Sequence, residues 1–503
     1  MQNIFELVNK QRVADPHKVA IVYEGQEVSY AKLIQETLKL SQGLKSLGLG
    51  KGQRIALFAP NGIEYAIVLL AAAKLGVAVV PLPITLKGMA LINALKKVPV
   101  ACTIAWSSVS SALLESNVIE PGRLITLNKK VGDELEWRAF LDAQQNDDES
   151  FEGGGSDPYI LTMTSGSTGE PKPIVLSQQC KIARAFEATV NYYSLSKTDV
   201  VLVSTPLYHS LAERGLLMPL MLGATTVIMP KFNIKKWFDL ITNYGVTFMF
   251  SVSSQLESLI PELQKGHDLS SLKCIVSSSA VLPSETKDRL LQHLDCRLHE
   301  CYGASEVGVV TDFCVSEDRH KRGSVGKPLP FVSLKIVDKD GLQVAPSEVG
   351  EIVCTTSTAF NGYHKLPEQT KKAYDKDGYF STGDLGYLDD DGYLYYVGRN
   401  KEVISTGGIN VYPQDIESVI KTHPHIADCV AFGIPDQKFG EVVKVVYVSN
   451  EADSVIDEME IRKLCFEQLT DYQQPRELLQ VPCLERSGLG KILRNEVKLK
   501  YKH

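Results

Sequence analysis

Three observations predict an α/β protein with a large, multi-sheet N-terminal domain, parallel-rich at its core, and a small α+β C-terminal domain. The chain has 503 residues, more than one hydrophobic core usually supports, so at least two domains are expected. Short apolar runs alternate with stretches at helical spacing through its first half, the pattern of βαβ units. Toward the C-terminus the elements become shorter and mixed.

Taken in order, Ser29 suits the N-cap of a helix whose Leu33, Leu40, Leu44 and Leu47 fall at helical spacing and which Gly48 stops. Residues 54–59 read as a strand, 63–75 as a buried helix ended by Gly76, and 77–82 as the next strand, completing one βαβ unit. The alternation recurs at 200–203, 215–222, 225–229 and 235–244. Residues 151–157 follow an acidic, polar stretch and read as a mobile loop. Beyond Asp384 a hairpin is expected, with strands 385–388 and 393–397 around Asp389, Asp390, Asp391 and Gly392. That Asp run could suggest a cation site, but Asp and Gly are what a tight turn needs. Residues 413–422 and 456–469 read as helices, and 427–432 and 442–448 as strands.

Composition narrows the function classes. A chain that is 44% hydrophobic and 22% charged is an ordinary globular enzyme in its balance. A formal charge of −7 without a long basic block argues against nucleic acid as a partner. The N-terminus lacks a basic region followed by an apolar one, and the most apolar stretch, 65–83, is broken by Lys74, Gly76 and Pro81, so neither a secretory signal nor a transmembrane segment is expected. A cytoplasmic location follows as an expectation. Ten cysteines without a C-x-x-C pair argue against a zinc ribbon or a dithiol centre.

One segment carries chemistry: Thr164, Ser165, Gly166, Ser167, Thr168, Gly169, Glu170, Pro171, Lys172 and Pro173, between two short apolar strands. Glycines let backbone approach an anion, hydroxyls and exposed N–H groups donate to its oxygens, and a lysine adds charge, so the loop suits phosphate. It lacks the Gly-Lys-Ser/Thr ending of a Walker loop. Four later segments agree with a nucleotide function: Cys301-Tyr302-Gly303-Ala304-Ser305-Glu306, Ser381-Thr382-Gly383-Asp384-Leu385-Gly386, Gly398-Arg399-Asn400-Lys401-Glu402 and Gly488-Leu489-Gly490-Lys491-Ile492. In this order and spacing they resemble the adenylate-forming superfamily of acyl- and aryl-CoA synthetases, peptide-synthetase adenylation domains and luciferases. The pattern is nearest to bacterial-type acyl-CoA ligases.

The resemblance implies residue roles. Lys491 corresponds to the catalytic lysine that bridges carboxylate and α-phosphate oxygens, and Glu306 to the Mg²⁺ ligand. Ser305 stands where a hydroxyl donates to the α-phosphate. The loop residues Thr164 to Gly169, with Lys172, would hold ATP. Tyr302 would pack on adenine, with Ser279, Glu300, Cys301 and Gly303 around it. Asp384 would accept from the ribose hydroxyls and Arg399 would support that region. Lys401 falls at the hinge on which a mobile small domain, 399–503, turns against a large domain, 1–398. His209, Ser278, Gly303 and Gly408 would line the acyl and pantetheine tunnel, where serines at 277–279 replace a glycine- and alanine-rich run.

The expected activity is therefore ATP-dependent carboxylate–CoA ligation through an acyl-adenylate, using ATP, Mg²⁺ and coenzyme A. The alternative acceptor is the phosphopantetheine of an acyl carrier protein. Ligases of malonate-like diacids tend to carry an arginine beside Tyr302; here it is absent, so a fatty or aryl monocarboxylic acid is expected. Arg214 could grip a second carboxylate, although pairing with Glu213 or solvent is the commoner fate of such a residue.

Overall fold

A computed structural model describes residues 3–146, 148–164, 172–407, 409–451, 455–488 and 490–502. The chain separates into two compact units. The first comprises Met1–Arg322, Pro328–Ser333 and Thr355–Gly378, and the second Gly323–Lys327, Leu334–Cys354 and Tyr379–His503.

Two sheets organise the first unit. In one, the order is Leu135–Glu136, Leu124–Thr126, Cys102–Ala105, Arg54–Phe58, Ala78–Pro81, Pro158–Thr164 and Lys172–Ser177. All its pairs are parallel except the last. The other runs from Gly308–Cys314 through Arg297–Ala304, Cys274–Ser278, Phe248–Val252, Val200–Val203, Thr225–Ile228 and Val19–Tyr23 to Gln26–Ser29. Its interior is again parallel, with antiparallel pairs at both ends of this path. Parallel strands covered by helices are buried on both faces, and Phe248–Val252 is buried at every position.

The local signals act as read. Ser29 accepts from Lys32 N at 3.2 Å and caps the helix Tyr30–Ser46, a contribution of about 1 kcal/mol. The helix Ile63–Leu75 ends at Gly76 with φ +66°, a left-handed C-cap that glycine adopts freely. The Asp389 segment is a turn: Asp389 Oδ1 accepts from Asp391 N at 3.0 Å and Tyr393 N at 2.9 Å. Residues 151–157 differ from expectation, because Asn3 Nδ2 donates to Gly153 O at 2.7 Å and Gly153 N donates to Lys74 O at 3.0 Å. A Cβ at Gly153 would lie 2.1 Å from Ala73 O, so glycine there serves a close backbone crossing.

In the second unit, Phe380–Leu388 and Leu394–Arg399 pair antiparallel, which keeps Asp384 in the same compact unit as Arg399. A five-stranded sheet centres on Ile426–Asp436 and Gly440–Ser449. Its core includes Ile416, Ile420, Ile461 and Cys465 from two helices, Pro413–Ile420 and Glu458–Gln468. The described helices include none long and apolar enough to cross a membrane.

Candidate active site

The first unit's motif residues sit where each parallel sheet ends in an antiparallel pair. At one such edge Thr164 pairs with Lys172, across a loop whose Ser165, Gly166, Ser167, Thr168 and Gly169 lie outside the described residues. The Lys172 ammonium stands over the Tyr363 ring, 5.0 Å from its centroid. The Tyr363 hydroxyl donates to Glu306 Oε1 at 3.1 Å. One phenol thus links the base of the glycine loop to the expected metal ligand. Burial, reinforced by the Glu306 charge, raises the Tyr363 phenol well above its ordinary value, which keeps it a donor.

At the other edge Ala304 pairs with Gly308, closing a turn in which Ser305 is exposed and Glu306 half-buried. The closure dictates Gly303: a Cβ there would lie 2.0 Å from the Gly308 carbonyl oxygen. Arg184, buried in the helix Gln178–Ala185, anchors the turn. Its Nη2 donates to the carbonyls of Ser305 and Glu306, each at 3.0 Å, and its Nε to Thr358 O at 3.0 Å. Phe360 N donates to Glu306 O at 2.6 Å. The turn's backbone is therefore fixed from below while its side chains remain reachable.

No group of three His, Cys, Asp or Glu side chains among the described residues is placed to hold a metal. A lone carboxylate at Glu306 fits Mg²⁺, which commonly takes one or two carboxylates, keeps several waters and completes its shell with phosphate oxygens.

Further up the same strand, Glu300 turns inward to Lys287 Nζ at 2.5 Å and Leu282 N at 2.7 Å. Burial raises the Glu300 carboxyl while Lys287 opposes the shift. Cys301 is buried and bonded to Ser278, and burial pushes its thiol up to about 12, which disfavours the nucleophilic thiolate. Tyr302 is half-buried, whereas Ser279 is exposed and has φ +75°. Serine pays for that left-handed backbone where glycine would not. His209 precedes the helix Ser210–Leu222 and rests on Tyr208, with ring centroids 4.3 Å apart. Its Nε2 is buried without a hydrogen-bond partner, and burial lowers the ring to about 4, so it is neutral at pH 7.

In the second unit Asp384 and Arg399 are cross-strand partners, with Arg399 Nε 3.2 Å from Asp384 Oδ1. A carboxylate held this way can accept from a diol. Lys401 is exposed in the short turn Asn400–Glu402, and Gly408 lies outside the described residues. The segment before Lys491 is a closed turn: Ser487 N donates to Lys491 O at 2.7 Å and Gly490 N to Ser487 O at 2.8 Å, with Gly490 at φ +77°. Lys491 is solvent-exposed as a residue, yet its crowded surroundings and then the Arg399 guanidinium lower its ammonium, against the pull of Glu402 and Asp384. Arg494 adds a further cation nearby, although it is bound by Glu402 at 3.0 Å and by Glu417. Three cations, Lys491, Arg399 and Arg494, thus share this region with three carboxylates, Asp384, Glu402 and Glu417.

Arg184, Tyr363 and Lys287 escaped sequence reasoning. Each lies outside any motif and acts on the motif segment from more than a dozen residues away; Tyr363 and Glu306 are 57 residues apart.

Comparison with known proteins bears on this arrangement. A model of the AMP-binding enzyme family matches residues 8–364, and one of the AMP-binding enzyme C-terminal domain matches 415–491. The chain is 31% identical to an indoleacetate–CoA ligase of Aromatoleum aromaticum over 98% of its own length and 97% of the relative's. It is 27% identical to a fatty acid–[acyl-carrier-protein] ligase of Streptomyces coeruleorubidus, over 99% and 96%. Among solved structures, ATP-bound MatB from Rhodopseudomonas palustris superposes with a TM-score of 0.89 at 26% identity, covering 100% of this chain and 99% of that one.

Proposed function

Because the chain belongs to the AMP-binding enzyme family, we propose that its two sets of site residues divide an acid–CoA ligation into adenylation and thiol transfer. It is an AMP-forming acid–thiol ligase that uses ATP, Mg²⁺ and coenzyme A. In the first step a carboxylate oxygen bonds to the α-phosphorus of ATP and pyrophosphate departs. In the second the CoA sulfur bonds to the acyl carbon, AMP departs, and the thiol proton goes to solvent.

The first step brings two anions together, so positive charge and fixed geometry are what the protein must supply. Lys491 offers its ammonium to the carboxylate and α-phosphate oxygens. Glu306 would hold Mg²⁺, which when bound neutralises phosphate charge. Ser305 donates to the α-phosphate, and the glycine loop with Lys172 holds the rest of the triphosphate. Asp384, steadied by Arg399, takes the ribose hydroxyls. Ser279, Gly303 and Tyr302 face the adenine, backed by Glu300 and Cys301. Neutral His209, with Ser278, Gly303 and Gly408, borders the path of acid and thiol. Residues 1–398 would form the nucleotide- and acyl-binding domain, and 399–503 a small domain turning at Lys401.

The observation that supports this most is the Ser305–Glu306 turn, whose carboxylate Tyr363 and whose backbone Arg184 hold ready. CoA is the proposed acceptor, since a relative 31% identical over 98% of the chain is a CoA ligase. The carrier-protein reading stays as the second, on the relative that loads such a protein. Pyrophosphate release with MgATP and a panel of acids, with and without CoA, tests the choice. Turnover only with CoA is expected; a single stoichiometric burst that CoA does not convert to turnover would favour a carrier protein.

A further inference from the structure

Among the described residues of the first unit two arginines are buried, and they end differently. Arg184, 1% exposed, spends its guanidinium on three carbonyls. Arg214, 5% exposed, has Nε and Nη1 sealed from solvent with no hydrogen-bond partner. Its neighbour Glu213 does not serve it, because Lys181 Nζ lies 2.8 Å from Glu213 Oε1 in a buried ion pair. Consecutive helical side chains diverge by about 100°, which sends the two residues of the helix Ser210–Leu222 to different surroundings. What Arg214 does meet is the Phe250 ring, 5.7 Å from its guanidinium carbon.

The place of this open cation matters. The helix that carries it begins at His209 and packs closely on the sheet, so that a Cβ on Gly215 would come within 3.3 Å of Val203 and 3.7 Å of Phe250. The charge of Arg214 also bears on Cys301, inside the Glu300-Cys301-Tyr302 motif. A buried, unpaired charge is costly, and folds keep one chiefly where a ligand completes it. The Nε and Nη1 of Arg214 each keep a donor for an anionic oxygen, a group that guanidinium binds strongly.

We infer that Arg214 binds a second anionic group on the acid, so that the enzyme's substrates are dicarboxylic acids rather than the fatty or aryl monocarboxylic acids expected from sequence. This rests on the ligase reading above. In it, one carboxylate is adenylated and the other stays ionised against Arg214.

The test uses full-length enzyme, MgATP and CoA with matched acids: hexanoate against adipate, and phenylacetate against 4-carboxyphenylacetate. In the wild type the diacid of at least one pair should be preferred at least about tenfold in kcat/KM, and Arg214→Met should abolish or invert that preference while the KM for ATP holds. The diacid should also raise the melting temperature of the wild type and not of Arg214→Met. Removing an uncompensated buried charge should raise the ligand-free melting temperature, whereas loss of a structural contact would lower it. Preference for the monoacid in both pairs, or a diacid preference that survives in Arg214→Met, would overturn the inference. Should no acid release pyrophosphate, the ligase reading fails on its own, and diacid-dependent stabilisation lost in Arg214→Met still decides the role of Arg214. If the methionine variant does not fold, the wild-type preference within the pairs decides it alone.

Discussion

Around the Ser305–Glu306 turn the supporting groups are partnered: Arg184 is bound to carbonyls, Glu300 is held by Lys287, and Tyr363 donates to Glu306. Around the Lys491 turn the balance is different, because desolvation by its crowded surroundings first and then Arg399 lower the lysine ammonium, against the pull of Glu402 and Asp384. The first region's side chains hold one another, whereas in the second the lysine ammonium is disfavoured by its surroundings. In an enzyme that joins a carboxylate to a phosphate, that difference assigns tasks. On the proposed roles, the turn would hold the cation and nucleotide, and Lys491 would meet the charge that develops on the reacting oxygens.

The comparison can be broken from the turn's side. Glu306→Ala should lower adenylation by about 100-fold or more, because the proposed cation loses its one protein carboxylate, and raised Mg²⁺ should recover part of the loss. Pyrophosphate exchange at several Mg²⁺ concentrations reads this; an unchanged rate would remove Glu306 from the metal role. Tyr363→Phe deletes a hydrogen bond to a charged group, worth about 1.5–3 kcal/mol. The expected result is a rise of roughly tenfold in the KM for MgATP with little change in melting temperature, and a global loss of stability instead would make Tyr363 a core residue only.

The support beneath the turn should show in pH. His299, on the motif strand, meets Asp312 Oδ2 at 2.7 Å, while the Tyr193 hydroxyl donates to Asp312 Oδ1 at 2.7 Å. Burial alone would lower this imidazole, but Asp312 and Cys314 outweigh it and raise it to about 9. A folded value above the unfolded 6.5 means that the stabilisation is fully present below pH 6.5 and is lost as pH rises through 9. Its size is on the order of 3 kcal/mol. Melting temperature between pH 6 and 9.5 should therefore fall more steeply in the wild type than in His299→Gln; parallel curves would contradict the pairing.

Much of this was legible in the sequence because it is local. Ser29 as a cap, Gly76 as a stop and the Asp389 turn are decided by residues within a few positions. The glycine loop, the Glu306 segment and Lys491 stand out as short motifs, and the roles proposed for Glu306 and Lys491 come from the family they resemble. The rest depends on distant partners. Arg184 reaches Ser305 across 121 residues and Lys181 takes Glu213 across the fold, which is why the pairing of Arg214 with its neighbour, plausible on the page, does not occur. Residues 151–157 looked mobile for the same reason, since Asn3 and Lys74 hold them from far along the chain.

The most direct measurement is Lys491→Ala assayed in two halves, pyrophosphate exchange for adenylation and thioester formation from preformed acyl-AMP plus CoA. Adenylation should fall at least about 100-fold, the scale of losing one charge-stabilising group, while thioester formation stays within a few-fold of wild type. Equal loss in both halves would contradict the division of labour between the two turns.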